Sequence, residues 1–320
     1  MSLAGQIAIV TGASRGIGRG IALQLGEAGA TVYITGRKPE HSHNTAVGLT
    51  GLEETAEEIT KRGGKGIARF VDHSNMDEVK SFFEAIDKDH QGQLDILVNN
   101  AYQAVTVILE NVGTPFYETD PYIWDTVNNV GLRNHYFCSV YASRIMVKRN
   151  RGLIVNVSST GGLRYLFNVA YGAGKQALDR LSSDMAVELK SKKVCVVSIW
   201  PGAVHTETIN KMFKNEDGSR KEGTVKNDRA FRKGETVEYA GKGIAALAAD
   251  PRKMEKTGKT LISEDLGKEY GFVDIDGTTP PNLRSVNSIL EHLGWNTTAA
   301  FIPEWIKLPG WLVWAGTCRL

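Results

Sequence analysis

A tyrosine and a lysine stand four residues apart in the segment AYGAGK at 170–175. Residues at this spacing lie over one face of a helix, so we expect the ammonium of Lys175 beside the phenol oxygen of Tyr171. A free tyrosine has a pKa of about 10, and a fixed cation nearby favours the phenolate and lowers that pKa. The pair therefore predicts a general acid or base, although most such pairs are plain surface contacts.

A pair of serines precedes this helix. The apolar run LIVNVSS at 153–159 predicts a buried strand that ends in Ser158 and Ser159. Ligands of open α/β folds bind at the carboxyl ends of the strands. We therefore expect one of the two hydroxyls to orient a substrate carbonyl near Tyr171.

A glycine-rich turn follows the first apolar run, IAIV at 7–10, and leads into a helix. Its pattern is T-G-x-x-x-G-x-G over residues 11–18. Glycines there allow a tight turn and a close approach to a pyrophosphate at the helix N-terminus. Glycines also simply end elements, but the flanking strand and helix favour dinucleotide binding. The loop residues expected to contact the cofactor are Gly12, Arg15, Gly16, Ile17 and Gly18.

The end of the second apolar run indicates which dinucleotide binds. An NAD site usually presents Asp or Glu there for the ribose hydroxyls, whereas this chain has Thr35-Gly36-Arg37-Lys38. Arg37, assisted by Arg15, offers a guanidinium that can pair with the 2′-phosphate of NADP. The alternative is solvated surface charge. We predict that NADP(H) is preferred and that NAD(H) is possible.

Apolar strand-like runs alternate with amphipathic helical runs along the chain, as in α/β proteins. Strands are predicted at 7–10, 31–35, 66–71, 95–100, 153–159 and 194–202, and helices at 19–28, 52–61, 76–88, 122–148 and 171–189. The pattern predicts a Rossmann-type doubly wound parallel sheet in a single α/β domain, residues 1–270. A substrate lid is expected at about 205–235 and a C-terminal extension at 271–320.

The composition excludes few classes of function, but it favours an intracellular protein. The 320 residues include 38 Lys and Arg against 36 Asp and Glu, and the net charge of +2 gives no general reason to expect nucleic acid as a partner. The three cysteines, Cys138, Cys195 and Cys318, are widely spaced, which fits a reducing compartment with neither a disulfide framework nor a metal site. The amino terminus lacks the pattern of a signal peptide.

Four motifs together resemble the short-chain dehydrogenase/reductase superfamily, over residues 3–265. They are T-G-x-x-x-G-x-G at 11–18, NNA at 99–101, Y-x-x-x-K at 171–175 and PG at 201–202. The resemblance implies that Tyr171 exchanges the proton, that Lys175 lowers its pKa and holds the nicotinamide ribose, and that Ser159 polarises the substrate carbonyl. Ser158 is the reserve, because the spacing from serine to tyrosine is one residue shorter than is usual in the family.

The resemblance also implies further cofactor contacts. The residues concerned, in chain order, are Asp72, Asn99, Pro201, Gly202, Val204 and Thr206. The first is expected at the adenine, the second along the cofactor ribose, and the last two near the carboxamide. The alternative for each is an ordinary residue at a strand end.

The chain departs from the family pattern at two positions. Many members carry a helix asparagine that holds a water of the proton relay, and alignment on Trp124-Asp125 places Gly131 there, with Asn128 and Asn129 on other helix faces. A glycine can still loosen the helix and admit a water. At the second position, Tyr102 replaces the glycine of the family's NNAG, and it either lines the substrate site or merely packs.

With the C-terminal extension, these departures are similar to one subgroup of the family. Its members are described as NADPH-dependent reductases of steroids and other bulky carbonyl compounds, associated with the endoplasmic reticulum. The resemblance implies a reductase of a ketone or aldehyde in the cytoplasm or on the cytosolic face of that membrane, as a homodimer or homotetramer. The alternative, motivated by Gly131, is a dinucleotide-binding scaffold or sensor with little turnover.

The expected lid carries apolar side chains. Ile209, Met212 and Phe213 would suit an apolar carbonyl substrate, with Leu166 and Phe167 on the opposite wall. Plain helix packing would use the same residues.

The tail at 295–320 is rich in tryptophan and too interrupted by proline for a spanning helix. Trp305, Trp311 and Trp314, with the basic Lys307 and Arg319, would suit peripheral contact with a membrane interface. Packing on a dimer partner is an equal alternative.

Overall fold

The strands of the chain form one sheet in the computed structural model, which describes residues 2–38, 51–213, 233–292, 295–303 and 305–317. They are β1 (Ile7–Thr11), β2 (Thr31–Gly36), β3 (Lys65–Phe70), β4 (Ile96–Asn99), β5 (Gly152–Val157), β6 (Val194–Trp200) and β7 (Thr260–Ile262). In this part of the chain all seven strands are parallel, in the order β3-β2-β1-β4-β5-β6-β7. The predicted Rossmann-type sheet is confirmed.

Helices connect the strands and follow the last one. They are α1 (Gly16–Glu27), α2 (Leu52–Lys61), α3 (Met76–Asp89), α4 (Val105–Glu110), α5 (Ile123–Asn128), α6 (Asn134–Met146), α7 (Val169–Leu189), α8 (Glu207–Phe213), α9 (Tyr239–Ala249), α10 (Ser263–Tyr270), α11 (Val286–His292), α12 (Asn296–Ala300) and α13 (Gly310–Thr317). The region 214–232, most of the expected lid, lies outside the described residues, as do Cys318, Arg319 and the side chains of Met212, Phe213 and Trp314.

The helices cover both faces of the sheet, as a doubly wound fold requires. On one face α1, α2, α9 and α10 pack on the strands and bury residues such as Ile21 and Ile244. On the other face α3, α6 and α7 bury residues such as Phe83. Ile9 and Val10 of β1 belong to opposite cores, because successive side chains of a strand point to opposite faces.

Side chains cap the N-termini of several helices, of which two are long. Asn75 accepts hydrogen bonds from the backbone N–H groups of Asp77 and Glu78 and starts α3, and Asn168 accepts one from Tyr171 and starts α7. Arg15, at the start of α1, makes no such side-chain bond. The N–H groups in the first turn of α1 are therefore not satisfied by the side chain of its cap residue.

The prediction of one long helix at 122–148 is wrong in one respect. A kinked turn at Asn129–Arg133 breaks the segment into α5 and α6. Val130 has φ −113° and ψ 94°, and Gly131 has φ 150°, neither of which is helical. The N–H group of Gly131 is satisfied by Oδ1 of Asn134 at 2.6 Å instead of by the helix. The break places the backbone of Gly131 next to the ring of Tyr102.

The C-terminal extension is tied to the sheet domain through α10. Asp265 of that helix accepts hydrogen bonds from Asn282 Nδ2 (2.8 Å), Arg284 Nε (3.0 Å) and Lys307 Nζ (2.8 Å). Among the described residues we find no helix that is both long enough and apolar enough to cross a bilayer.

Candidate active site

The glycine loop is held against the end of β4. Thr11 Oγ1 accepts hydrogen bonds from the N–H groups of Asn100 (2.9 Å) and Ala101 (3.0 Å). Asn100 Nδ2 donates to the carbonyls of Thr11 and Gly12. These bonds join the carboxyl ends of β1 and β4, the strands between which the order of the sheet reverses. Open α/β sheets bind their ligands at this point.

Small size and positive φ angles shape the loop. Gly12 has φ 66° and Gly16 has φ 58°, which other residues rarely adopt. A Cβ on Gly12 would lie 2.6 Å from the Cα of Ala101, and one on Gly18 would lie 2.3 Å from the carbonyl oxygen of Gly12. Ile17 packs against the core beneath the loop. The loop thus keeps its backbone accessible while α1 lies close to the strand.

The backbone of the loop already binds an anionic group. The N–H of Gly16 donates to Oε2 of Glu207, the first residue of α8, at 3.0 Å. A Cβ on Gly16 would lie 3.6 Å from Cγ2 of the neighbouring Thr206. Phosphate groups favour this position, because the N–H groups and the dipole at a helix N-terminus attract negative charge.

The end of β2 lies against the same loop. The N–H of Ala13 donates to the carbonyl of Thr35 at 3.0 Å, and Cβ of Ser14 lies 3.9 Å from where a Cβ of Gly36 would be. Arg15 comes directly after Ser14 in the chain, and Arg37 comes directly after Gly36. Both arginines are half-buried. The structure therefore brings the two predicted phosphate-binding cations to one edge of the sheet.

The small residues of AYGAGK allow other elements to reach the backbone of α7. A Cβ on Gly174 would lie 2.0 Å from Oδ1 of Asn128, whose Nδ2 donates to the carbonyl of Ala170 at 3.4 Å. On the adjacent side, a Cβ on Gly161 would lie 2.4 Å from Cε1 of Tyr171. The ring of Tyr171 is thus held between α5 and the turn at 160–162.

Lys175 is 8% exposed and lies one turn beyond Tyr171. Its Nζ donates to the carbonyl of Val157 at 3.0 Å and lies 4.9 Å from the ring centroid of Tyr102. Burial lowers the pKa of Lys175 to about 8, and the carboxylate of Asp179 opposes that shift. The ammonium form therefore predominates at neutral pH.

The pKa of Tyr171 is raised, whereas the sequence predicted that Lys175 would lower it. Burial raises its pKa to about 12, a hydrogen bond with Ser159 acts in the opposite direction, and Asp179 adds to the rise. The expected lowering by Lys175 does not dominate, because the ammonium is directed at Val157 and lies 5.9 Å from the centroid of the Tyr171 ring. The phenol is therefore protonated at neutral pH.

The two serines at the end of β5 face different ways. Ser158 is buried, and its Oγ donates to the carbonyl of Lys175 at 3.2 Å. Ser159 is half-buried, accepts a hydrogen bond from the N–H of Gly161 at 3.1 Å and bonds with Tyr171. The structure therefore brings Ser159, and not Ser158, to the tyrosine hydroxyl.

Asn99 ends β4, and its side chain takes part in bonds within the fold. Its side chain is fully buried, and Nδ2 donates to Ser139 Oγ (2.9 Å) and Asn156 Oδ1 (2.8 Å). The side-chain amide joins β4 to β5 and α6, so a contact of Asn99 with a cofactor ribose would have to come from its backbone. Asp72, after β3, is half-buried and accepts hydrogen bonds from the N–H and hydroxyl of Ser74.

The segment after β6 borders the cleft. Pro201 and Gly202 are half-buried, and Val204 forms an isolated bridge with Glu235. The N–H of Thr206 donates to the carbonyl of Val204 at 2.9 Å, which turns the chain towards the glycine loop. The predicted carboxamide-binding residues thus lie across from Gly16.

Comparison with known proteins identifies the family. Residues 6–217 match the family model described as short chain dehydrogenase. The chain belongs to the short-chain dehydrogenase/reductase family. This short-chain dehydrogenase/reductase is 46% identical over 312 residues to dehydrogenase/reductase SDR family member 1 of Homo sapiens, covering 97% of the chain and 96% of the relative. It is 32% identical to 3-oxoacyl-(acyl-carrier-protein) reductase FabG of Pseudomonas aeruginosa, over 78% of the chain and 92% of the relative.

Solved structures resemble this short-chain dehydrogenase/reductase as well. A putative short-chain alcohol dehydrogenase from Sinorhizobium meliloti 1021 has a TM-score of 0.66 and 31% identity, covering 82% of the chain and 96% of the other. A metagenomic short-chain oxidoreductase in complex with NADP has a TM-score of 0.53 and 33% identity, covering 63% and 84%. The expected family is confirmed, and the protein is an oxidoreductase.

The site of this short-chain dehydrogenase/reductase fits the nicotinamide dinucleotide that its family uses. The carboxylate of Glu207 on the N–H of Gly16 stands where an anionic group of the dinucleotide would be held. The structural roles of Glu207, Asn100 and Asn168 were not predicted from the sequence. Asn168 carried a signal, since an asparagine before a helical run is a preferred cap, whereas the roles of the other two depend on distant residues.

Proposed function

We propose that the protein reduces a ketone or aldehyde to an alcohol with NADPH. One observation carries the proposal: the hydroxyls of Tyr171 and Ser159 meet beside the buried ammonium of Lys175, on the edge of the sheet that bears the glycine loop. A bound nicotinamide dinucleotide supplies hydride to the carbonyl carbon. The side chains of the chain itself supply the proton and fix the carbonyl oxygen.

Each side chain has one role in this reaction. Ser159 donates a hydrogen bond to the carbonyl oxygen, and Tyr171 gives its phenolic proton to that oxygen as negative charge develops there. A pKa of about 12 keeps Tyr171 protonated at neutral pH, which suits a proton donor. The Lys175 ammonium stabilises the phenolate that remains after the transfer.

An apolar carbonyl compound suits the surroundings of Tyr171. The ring of Phe167 lies 5.1 Å from that of Tyr171, edge to face, and Leu166 packs against the same buried cluster. Apolar walls with a few polar groups are typical of small-molecule sites. The human relative is named a dehydrogenase/reductase and the bacterial one an oxoacyl reductase, which supports reduction of a carbonyl group, and we propose a bulky, steroid-like or other apolar compound as its carrier.

Tyr171→Phe tests the reaction. We expect NADPH oxidation with a panel of steroid, quinone and aliphatic carbonyl compounds to fall by at least a hundredfold, since the proton donor is removed. The control is Tyr117→Phe, a change at a tyrosine that is 73% exposed. Undiminished turnover by Tyr171→Phe would rule out the proposed acid.

Arg37→Asp tests the preference for NADPH. No acidic residue stands at the end of β2, and the NADP-bound relative supports this preference. We expect NADPH affinity to fall at least tenfold and NADH affinity to change little, because the aspartate repels a 2′-phosphate. Lys65→Asp, at the other end of the neighbouring strand, is the control. Equal losses for both dinucleotides would contradict the assignment.

A dinucleotide-binding scaffold with little turnover is the second candidate. Gly131 favours it, because a glycine has no side chain of its own to hold a relay water at that position. NADPH binding by the purified protein, without oxidation by any carbonyl of the panel, would support this candidate over the reductase.

We further propose that the extension contacts a membrane surface, on the cytosolic face of the endoplasmic reticulum. Trp295, Phe301, Trp305 and Trp311 are exposed there, as interfacial aromatic residues are. Sedimentation with vesicles containing phosphatidylserine should fall for Trp305→Ser/Trp311→Ser and not for Tyr117→Ser. Unchanged sedimentation together with a smaller particle mass by light scattering would instead assign these rings to a homodimer or homotetramer interface.

A further inference from the structure

Tyr102 and Gly131 form one packing arrangement. A Cβ on Gly131 would lie 2.5 Å from Cδ2 and 2.7 Å from Cε2 of Tyr102. Close-packed interiors do not accommodate such contacts, so the ring occupies the space that a side chain at position 131 would need. The two departures of the sequence from the family pattern are therefore linked by contact.

The other side of the Tyr102 ring lies against the proposed catalytic pair. Its centroid is 6.2 Å from that of Tyr171 at an interplanar angle of 78°, and Nζ of Lys175 is 4.9 Å from its centroid. A cation within about 6 Å of a ring is attracted by the negative face. In the described part of the chain, Nζ of Lys175 has the carbonyl of Val157 as its hydrogen-bond acceptor, so the ring supplies further compensation for the buried charge.

We propose that Tyr102 is a positioning residue whose ring, admitted by the absence of a side chain at Gly131, holds the Lys175 ammonium beside Tyr171 and favours its charged form. This inference rests on the proposed function, because it gives Tyr102 a part in that proton transfer. The ring acts and the hydroxyl does not, since the hydroxyl is buried with no hydrogen-bond partner among the described residues.

Three other titratable groups face Lys175, and none of them changes charge between pH 7 and 10. Burial and the charge of Lys175 together lower the pKa of His135, from α6, to about 3, so its imidazole is neutral. Burial raises the pKa of Asp179 to about 6, so it is ionised in this range. Tyr171, with a pKa of about 12, is protonated. Of these groups, Lys175 is therefore the one that loses its charge between pH 7 and 10.

The dependence of kcat/KM on pH tests the role of the ring. For carbonyl reduction by the full-length enzyme we expect an alkaline limb that reports Lys175. Tyr102→Leu, which keeps an apolar side chain without a π face, should move that limb about half a unit to one unit lower. Tyr102→Phe should keep the limb at its original pH. An unmoved limb in Tyr102→Leu, or equal movement in both variants, would overturn the proposal.

A second experiment needs no turnover, so it separates this inference from the proposed function. Thermal unfolding is compared for Gly131→Ala, Tyr102→Gly and the double variant. Gly131→Ala should lower Tm by several degrees more in the original protein than beside Tyr102→Gly, and the difference between the two losses measures the contact. Strain from the positive φ of Gly131 is common to both backgrounds and cancels. Additive losses would show that ring and glycine are independent and overturn the packing argument.

Discussion

At the scale of single residues, Glu207 has the most direct consequence for cofactor binding. Its carboxylate accepts a hydrogen bond from the N–H of Gly16, at the N-terminus of α1. The side chain of Arg15 makes no capping hydrogen bond there. An acidic side chain satisfies this N–H in the free protein, but it must leave when a phosphate takes the same donor. We therefore propose that Glu207 competes with the cofactor for this donor.

Glu207→Gln should bind NADPH more tightly than the original protein. A neutral amide is a weaker competitor for the N–H and does not repel phosphate, so we expect Kd to fall about threefold to tenfold. Fluorescence titration at fixed ionic strength measures this change. Glu84→Gln, at an exposed position of α3, is the control and should not change the Kd for NADPH. A weaker or unaltered affinity of Glu207→Gln would mean that the carboxylate does not compete.

The residue types of the site were predictable, but their electrostatics were not. Tyr171 and Lys175 are set one turn apart by local helix geometry, which their spacing fixes. The burial that raises the pKa of Tyr171 and lowers that of Lys175 comes from elements far away in the chain, including the ring of Tyr102. A sequence pattern contains no measure of that burial.

At the scale of elements, the contact between α5 and α7 fixes the position of the tyrosine. Oδ1 of Asn128 lies where a Cβ of Gly174 would be, and Nδ2 of the same residue donates to the carbonyls of Trp124 and Ala170. One asparagine thus joins the two helices through backbone groups. The contact is possible only because α7 has a glycine at that turn.

Gly174→Ala should destabilise the protein, although the same change in an exposed helix usually stabilises it. The methyl group would lie 2.0 Å from Asn128 Oδ1, and overpacking of this kind costs about 1–3 kcal/mol. Urea unfolding measures the loss, and Asn128→Ala in the same chain should recover much of it. A Gly174→Ala variant more stable than the original would contradict the packing.

The strands were predictable because apolar runs such as Ile7–Val10 are dictated by burial on both faces. The break at Gly131 was not, because the sequence pattern on both sides is helical and the break depends on contact with Tyr102. β7 escaped prediction because a strand of three residues has too short a pattern. The direction of the Asn99 side chain was not predictable, because strand-end polar residues can turn into the protein as well as towards the cleft.

At the scale of the whole molecule, Asp265 joins the extension to the sheet domain. It accepts hydrogen bonds from Asn282, Arg284 and Lys307, which lie before and after α11 in the chain. Burial alone would raise the pKa of Asp265, but the hydrogen bonds from Lys307 and Arg284 outweigh it and the pKa is lowered. The folded carboxylate is therefore stabilised as the anion.

Asp265→Ala should loosen the extension and leave the core intact. At neutral pH we expect faster proteolysis within 271–320 and an unchanged fragment for 1–270, read by mass spectrometry. The pKa of this group is below its ordinary value of 3.8, so its stabilisation is present above 3.8 and is lost as pH falls through the lower folded value. Tryptophan fluorescence of the extension should change there.

Asp276→Ala is the matched control, because that carboxylate is exposed and accepts local hydrogen bonds from the N–H and hydroxyl of Thr278. Equal proteolysis of the two variants would mean that the extension is held by other contacts.

The contact between Tyr102 and Gly131 also constrains the order in which these residues can have arisen. A glycine at 131 tolerates a small residue at 102, whereas a side chain at 131 and a tyrosine at 102 would share one space. An ancestor with a side chain at 131 could therefore acquire the glycine first, but not the tyrosine first. The reverse substitutions must occur in the opposite order. A descendant would have to lose the tyrosine at 102 before it could regain a side chain at 131.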